Sequence, residues 1–177
     1  MNWTDLLNES IEENYRVAGK LMAEVTDADL DWKPSTGKNW MTVGQLLMHM
    51  TNACGYCCRG FVTGDWAPPE GAERPEGSTP EDEMLPPAEG LPAVGSVQEA
   101  RDLLAADKKV ALDTVAQAGE ARLAGETVAA PWDPENARPF GEQFMGMVLH
   151  LQSHKSQLFY YLKLMGRDVN TMHLWGM

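Results

Sequence analysis

The sequence predicts an all-α protein, a four-helix bundle with a long crossover connection. Apolar residues recur every three to four positions over four separate stretches, two of those stretches open on capping boxes, and Pro and Gly crowd into the segments between them. With 177 residues, 44% of them hydrophobic, the chain is long enough to bury one core, so a single domain spanning 1–177 is expected.

The first helix is expected at about 4–25, where Leu7, Ile11, Tyr15, Ala18, Met22 and Val25 form one stripe. Asp5, Glu9, Glu12 and Glu13 load its first turns, where negative charge suits the helix dipole. After a turn around Lys33, Pro34 and Gly37, the pair Thr42 and Gln45 forms a capping box for a second helix at about 43–61. Leu46, His49, Met50, Ala53 and Cys57 then share a face. Residues 65–95 hold Pro68, Pro69, Pro75, Pro80, Pro86, Pro87 and Pro92 among many acidic residues, which rules out a helix or a central strand there. This stretch is expected to be the crossover and to cover part of the site. Ser96 and Glu99 form another capping box, opening a third helix at about 97–118. Residues 119–139, interrupted by Gly125, Pro131, Pro134 and Pro139, are expected to be irregular. The longest pattern, about 140–165, gives the fourth helix, closed by Gly166 as a C-terminal cap. Met145, Val148 and Phe159 lie on its far side, a second apolar stripe to be covered either by a second copy of the chain or by the loop.

The net charge of −12 opposes nucleic-acid binding, which needs clustered Lys and Arg to track phosphates. No apolar run approaches the roughly 18 residues that span a bilayer, and the first residues lack the basic-then-apolar order of a signal peptide. A cytoplasmic protein without a membrane partner is expected. Cys54, Cys57 and Cys58 are an odd cluster without a second matching pair, read as reduced thiols in small apolar positions rather than a redox or zinc motif.

The chemistry points to histidine. His150 and His154 have i, i+4 spacing, so on a helix both rings leave one face within reach of a single ion. On the fourth-helix wheel they fall with Phe140, Gln143, Met147, Leu151, Leu158, Tyr161 and Met165, facing the core. His49 faces inward from the second helix. Three neutral imidazoles leave a divalent ion its full charge and usually an open position, which is how catalytic sites differ from closed structural ones. At such a position an ion either lowers the pKa of bound water or holds a thiolate as nucleophile. Gln143, Gln157 and Tyr161 lie on or beside the same face as candidate catalytic residues able to orient a ligand, although helical packing explains them equally well. Position 151 is Leu, not Glu, which disfavours a zincin-type peptidase. His173, in the tail with Met172, Leu174 and Trp175, is a candidate fourth ligand. Trp66 and Trp132, in the two irregular segments, are candidates for lining a substrate mouth.

The order of these features resembles a known family. The run from Trp40 through Thr42, Gln45 and His49, followed in the fourth helix by His150, His154, Gln157 and Tyr161, is similar to the DinB/YfiT-like metalloenzymes, and the likeness extends from the first helix through Gly166. The resemblance implies a four-helix bundle, often a homodimer, with a divalent metal ion, nickel or zinc foremost, on His49, His150 and His154. It implies no DNA binding. It further implies a metal-dependent enzyme of the thiol S-transferase or hydrolase type, with a low-molecular-weight thiol or another small molecule as partner. Two alternatives stay open: a noncatalytic metal-binding or stress-response module, and a bundle whose histidines are simply packed.

Overall fold

The computed structural model describes residues 2–66 and 87–177. Its helices are α1 (Trp3–Met22), α2 (Val43–Met50), α3 (Gly55–Thr63), α4 (Val97–Gly125), α5 (Phe140–Leu164) and α6 (Thr171–Trp175). A hairpin, β1 (Thr127–Ala130) and β2 (Asp133–Pro139), joins α4 to α5. The protein is therefore mostly helical, as the apolar periodicity requires.

Helix α1 packs against α4 and α5, and the α2–α3 unit packs against the same two, so the bundle closes in the order α1, α4, α2–α3, α5. Trp3 bonds Glu120, which sets α1 antiparallel to α4, whereas Gly55 lies on Asp107 and Val62 on Arg122, which sets α3 parallel to α4. Two consecutive parallel helices need a connection that returns the length of the bundle. That is the mechanical reason for the long segment between Thr63 and Val97. The expectation that this crossover partly covers the site falls largely on residues 67–86, outside the described ones.

The core is built from the anticipated stripes. Leu7, Ile11, Ala18 and Met22 from α1, Leu46, Leu47 and Met50 from α2, and Phe144, Leu151, Leu158 and Leu162 from α5 are all fully buried. Each such side chain contributes on the order of 1.5–3 kcal/mol relative to exposure. The helix ends obey their local signals. Thr42 and Gln45 exchange both bonds of a capping box (2.8 and 3.2 Å). Ser96 accepts the Glu99 N–H, but the Glu99 carboxylate reaches one residue further back, to the Gly95 N–H at 2.7 Å. Gly166, at φ 79°, closes α5: its N–H bonds the Lys163 carbonyl and the Arg167 N–H bonds that of Leu162. This crossed pair requires a left-handed residue that glycine supplies without Cβ strain.

Four expectations are corrected. The second helix is not continuous from 43 to 61, because Thr51–Cys54 form a turn that splits it into α2 and α3. The third helix does break after Ala118, at Gly119 (φ 68°, ψ 162°), but helical structure resumes and runs to Gly125. Residues 127–139, expected to be irregular, pair as the β1–β2 hairpin, in which Val128 faces Arg138 and Ala130 faces Asp133 around a bulge. Finally, within one chain Val148 and Phe159 are 1% and 4% exposed and Met145 is half-buried against the core, so the chain's own packing covers most of the stripe expected to be covered by a second copy or by the loop.

Candidate metal centre

The capping box at Thr42 fixes where α2 begins, and its period then seats Leu46, Leu47 and Met50 in the core with His49 at the edge of that face. Helix α5 runs antiparallel alongside and brings His150 and His154 to the same level. The three imidazoles converge, with one ring nitrogen from each lying within 4.8 Å of the others. His49 Nε2 and His150 Nε2, from residues 101 apart in the chain, are separated by 3.2 Å. The ring centroids stand 5.1 Å (49–150), 4.4 Å (49–154) and 4.8 Å (150–154) apart, every pair edge to face.

Burial is partial for all three rings and sets their charge. His49 has its pKa pushed down to about 4, first by desolvation and then by the neighbouring His154 and His150. His150 and His154 are lowered for the same leading reason, loss of water around a charged ring. Near neutral pH the cluster is three uncharged rings, each with a lone pair to offer.

Two of the rings are held from behind. His154 Nδ1 lies 3.0 Å from Gln157 Oε1, Gln157 Nε2 donates to the Tyr161 hydroxyl at 3.1 Å, and that hydroxyl donates to the Met41 carbonyl at 3.0 Å. Trp32 and Trp40 wall Tyr161 in edge-on contacts (5.3 and 6.2 Å). His150 has a hydrogen bond to the Ala53 backbone that favours the ring's protonated form, and so is made to the carbonyl oxygen. Ala53 lies in the turn between α2 and α3. The same turn is held from its other side by Asp107, which accepts the N–H groups of Gly55 and Tyr56 (3.0 and 2.8 Å) and the Tyr15 hydroxyl (2.5 Å). Asp107 thus caps α3 from α4, a remote substitute for the missing side-chain cap at Cys54.

Other candidates fall elsewhere. Gln143 is buried and spends its amide on the Val128 carbonyl at 2.9 Å, tying α5 to the hairpin two turns before His150. His173 Nδ1 accepts the Asn170 N–H at 3.1 Å within the capping box of α6 and is not part of the three-histidine cluster. Trp66 and Trp132 pack on each other (5.5 Å) and on Phe61, so the chain just after α3 meets the turn of the β1–β2 hairpin through these rings. The three cysteines are buried and form no disulfide, and burial raises the thiol pKa of Cys57 to about 12. A groove of about 730 Å³ between α1 and α4, lined by Glu9, Glu12, Arg16, Arg101, Leu104 and Lys108, contains none of the histidines.

The donor set is of the right chemical kind for a divalent ion, three neutral imidazole nitrogens within 4.8 Å of one another. Bonds of 2.0–2.1 Å to imidazole place tetrahedral ligand atoms about 3.3–3.4 Å apart, close to the 3.2 Å between His49 and His150. Carbonyl and amide partners behind His150 and His154 are the usual support of metal-binding imidazoles. Fold and cluster together define a helical bundle with a possible metal site between two antiparallel helices. The profile of the DinB superfamily matches residues 10–158, and the chain belongs to that superfamily. No match was found among curated proteins or among solved structures.

Proposed function

We propose that His49, His150 and His154 hold a divalent metal ion, zinc or nickel, and that the protein is a metal-dependent enzyme of the small-thiol S-transferase or hydrolase type. The observation that carries this reading is the convergence of three neutral imidazole nitrogens within 4.8 Å across two helices. When bound on three protein ligands, such an ion supplies Lewis acidity and an open coordination position. The chain's own residues prepare that site. Desolvation keeps His49 unprotonated down to about pH 4, so protons do not compete for its lone pair near neutrality. Ala53 and Gln157 fix the orientations of His150 and His154. In the transferase reading, a low-molecular-weight thiol loses its proton to solvent, its sulfur bonds an electrophilic carbon, and the leaving group departs with its electron pair. A homodimer would form on α5, where Leu149, Tyr160 and Leu164 lie along one stripe and are 51, 60 and 66% exposed.

The test loads the protein with zinc or nickel and supplies small thiols with electrophilic acceptors, and separately activated esters. Turnover that needs the metal and disappears in His150→Ala is expected. A tightly metallated protein inert to both substrate classes would instead mark a noncatalytic metal-binding module.

A further inference from the structure

The hydrogen bonds behind His154 have a direction, and the direction is set at the far end. The Met41 carbonyl has no proton and can only accept, so the one proton of the Tyr161 hydroxyl is committed to it at 3.0 Å. The Tyr161 oxygen then has nothing left to donate and can only accept. The group facing it at 3.1 Å is therefore the NH2 of Gln157, not its carbonyl. This settles which way the amide points, and leaves Gln157 Oε1 turned to His154 Nδ1 at 3.0 Å. A carbonyl oxygen there requires Nδ1 to carry the proton. In a neutral imidazole the lone pair is then on Nε2.

We infer that Tyr161 and Gln157 are positioning residues that transmit the polarity of the Met41 carbonyl to His154 and hold its ring as the Nδ1–H tautomer, with Nε2 free to bind a cation. The link joins both sides of the site, because Met41 immediately precedes the cap of α2, the helix that carries His49, whereas Tyr161 and Gln157 lie on α5. Tyr161 is 2% exposed and held between Trp32 and Trp40, so its hydroxyl has little freedom to turn elsewhere. Gln157 follows His154 by three residues and Tyr161 follows Gln157 by four, so all three share one helix face. The inference rests on the metal-site reading for its purpose, but its chemical content is a property of the metal-free protein.

The experiment records long-range 1H–15N correlations of the histidine rings in metal-free protein at pH 7.5, with His154 assigned by its loss in His154→Ala. Zinc dissociation constants are then measured on the same samples. In the parent, His154 is expected as Nδ1–H. Gln157→Glu, whose carboxylate still accepts, retains that tautomer. Gln157→Leu loses it, and Tyr161→Phe loses it by freeing the amide to flip, each weakening zinc binding about tenfold while circular dichroism stays that of the parent. Nε2–H in the parent would overturn the inference, as would Nδ1–H retained in both Gln157→Leu and Tyr161→Phe. If the tautomers behave as expected and zinc does not bind the parent, the metal-site reading fails and the positioning relationship stands.

Discussion

Asp107 and Gly55 meet with no room for a side chain between them: the carboxylate accepts the Gly55 N–H at 3.0 Å, and a Cβ on Gly55 would lie 2.1 Å from the Asp107 carbonyl oxygen. This contact seats the turn that ends α2 and starts α3, and so fixes Ala53, whose carbonyl holds His150. Gly55→Ala forces α3 away from α4 and is expected to cost about 3 kcal/mol. Asp107→Ala removes the carboxylate that accepts from the N–H groups of Gly55 and Tyr56 and from the Tyr15 hydroxyl, leaving the Gly55 N–H only its longer contact to the Tyr15 oxygen at 3.2 Å, for a loss of roughly 2–3 kcal/mol. Asp107→Asn keeps one acceptor and costs less. Urea denaturation measures all three, and an unchanged midpoint in Gly55→Ala would contradict the packing described.

Two glycines of α5 separate sterics from helix propensity. A Cβ on Gly141 would lie 2.3 Å from the Trp3 ring, whereas one on Gly146 would meet nothing within 4 Å. Gly141→Ala should destabilise by about 1–2 kcal/mol through overpacking. Gly146→Ala should stabilise by up to about 1 kcal/mol, because alanine loses less backbone entropy in a helix. Thermal unfolding of the two variants gives shifts of opposite sign if the α1–α5 contact is as described.

The histidine cluster makes the metal-free protein acid-sensitive. His49 titrates at about 4 when folded, below its ordinary value of 6.5, and His150 and His154 are also lowered. Between those values the unfolded chain binds more protons than the folded one, so stability falls as pH falls. The contribution is fully present above about 6.5 and drains away toward 4. Urea midpoints of metal-free protein should decline over that window, with a shallower decline in His49→Gln. An equal slope in parent and variant would show that His49 keeps an ordinary pKa.

The triad was legible because each of its parts carries a local signal. The i, i+4 pair lies on an apolar α5 face, and His49 follows a capping box whose two bonds are formed. The split of the second helix was not legible, because Leu46, Met50, Ala53 and Cys57 keep the helical rhythm straight through the turn. Only tertiary partners, Asp107 and His150, reveal it. Asp107 itself left a faint trace: it interrupts the stripe Leu104, Ala111 and Val115 as a charged residue at an inward position, and it is 7% exposed. The hairpin hid for another reason. Its second strand, Asp133–Pro139, is exposed along most of its length and carries two prolines, so it shows neither alternation nor β-branched residues.

The central claim is most directly tested by elemental analysis of protein purified natively without a histidine tag, beside His49→Ala and His150→Ala. About one equivalent of a divalent metal in the parent, lost in both variants with the helical spectrum retained, is the result expected of a three-imidazole site. A parent that holds no metal, even after reconstitution with zinc and with nickel, would contradict it and leave His49, His150 and His154 as packed core histidines.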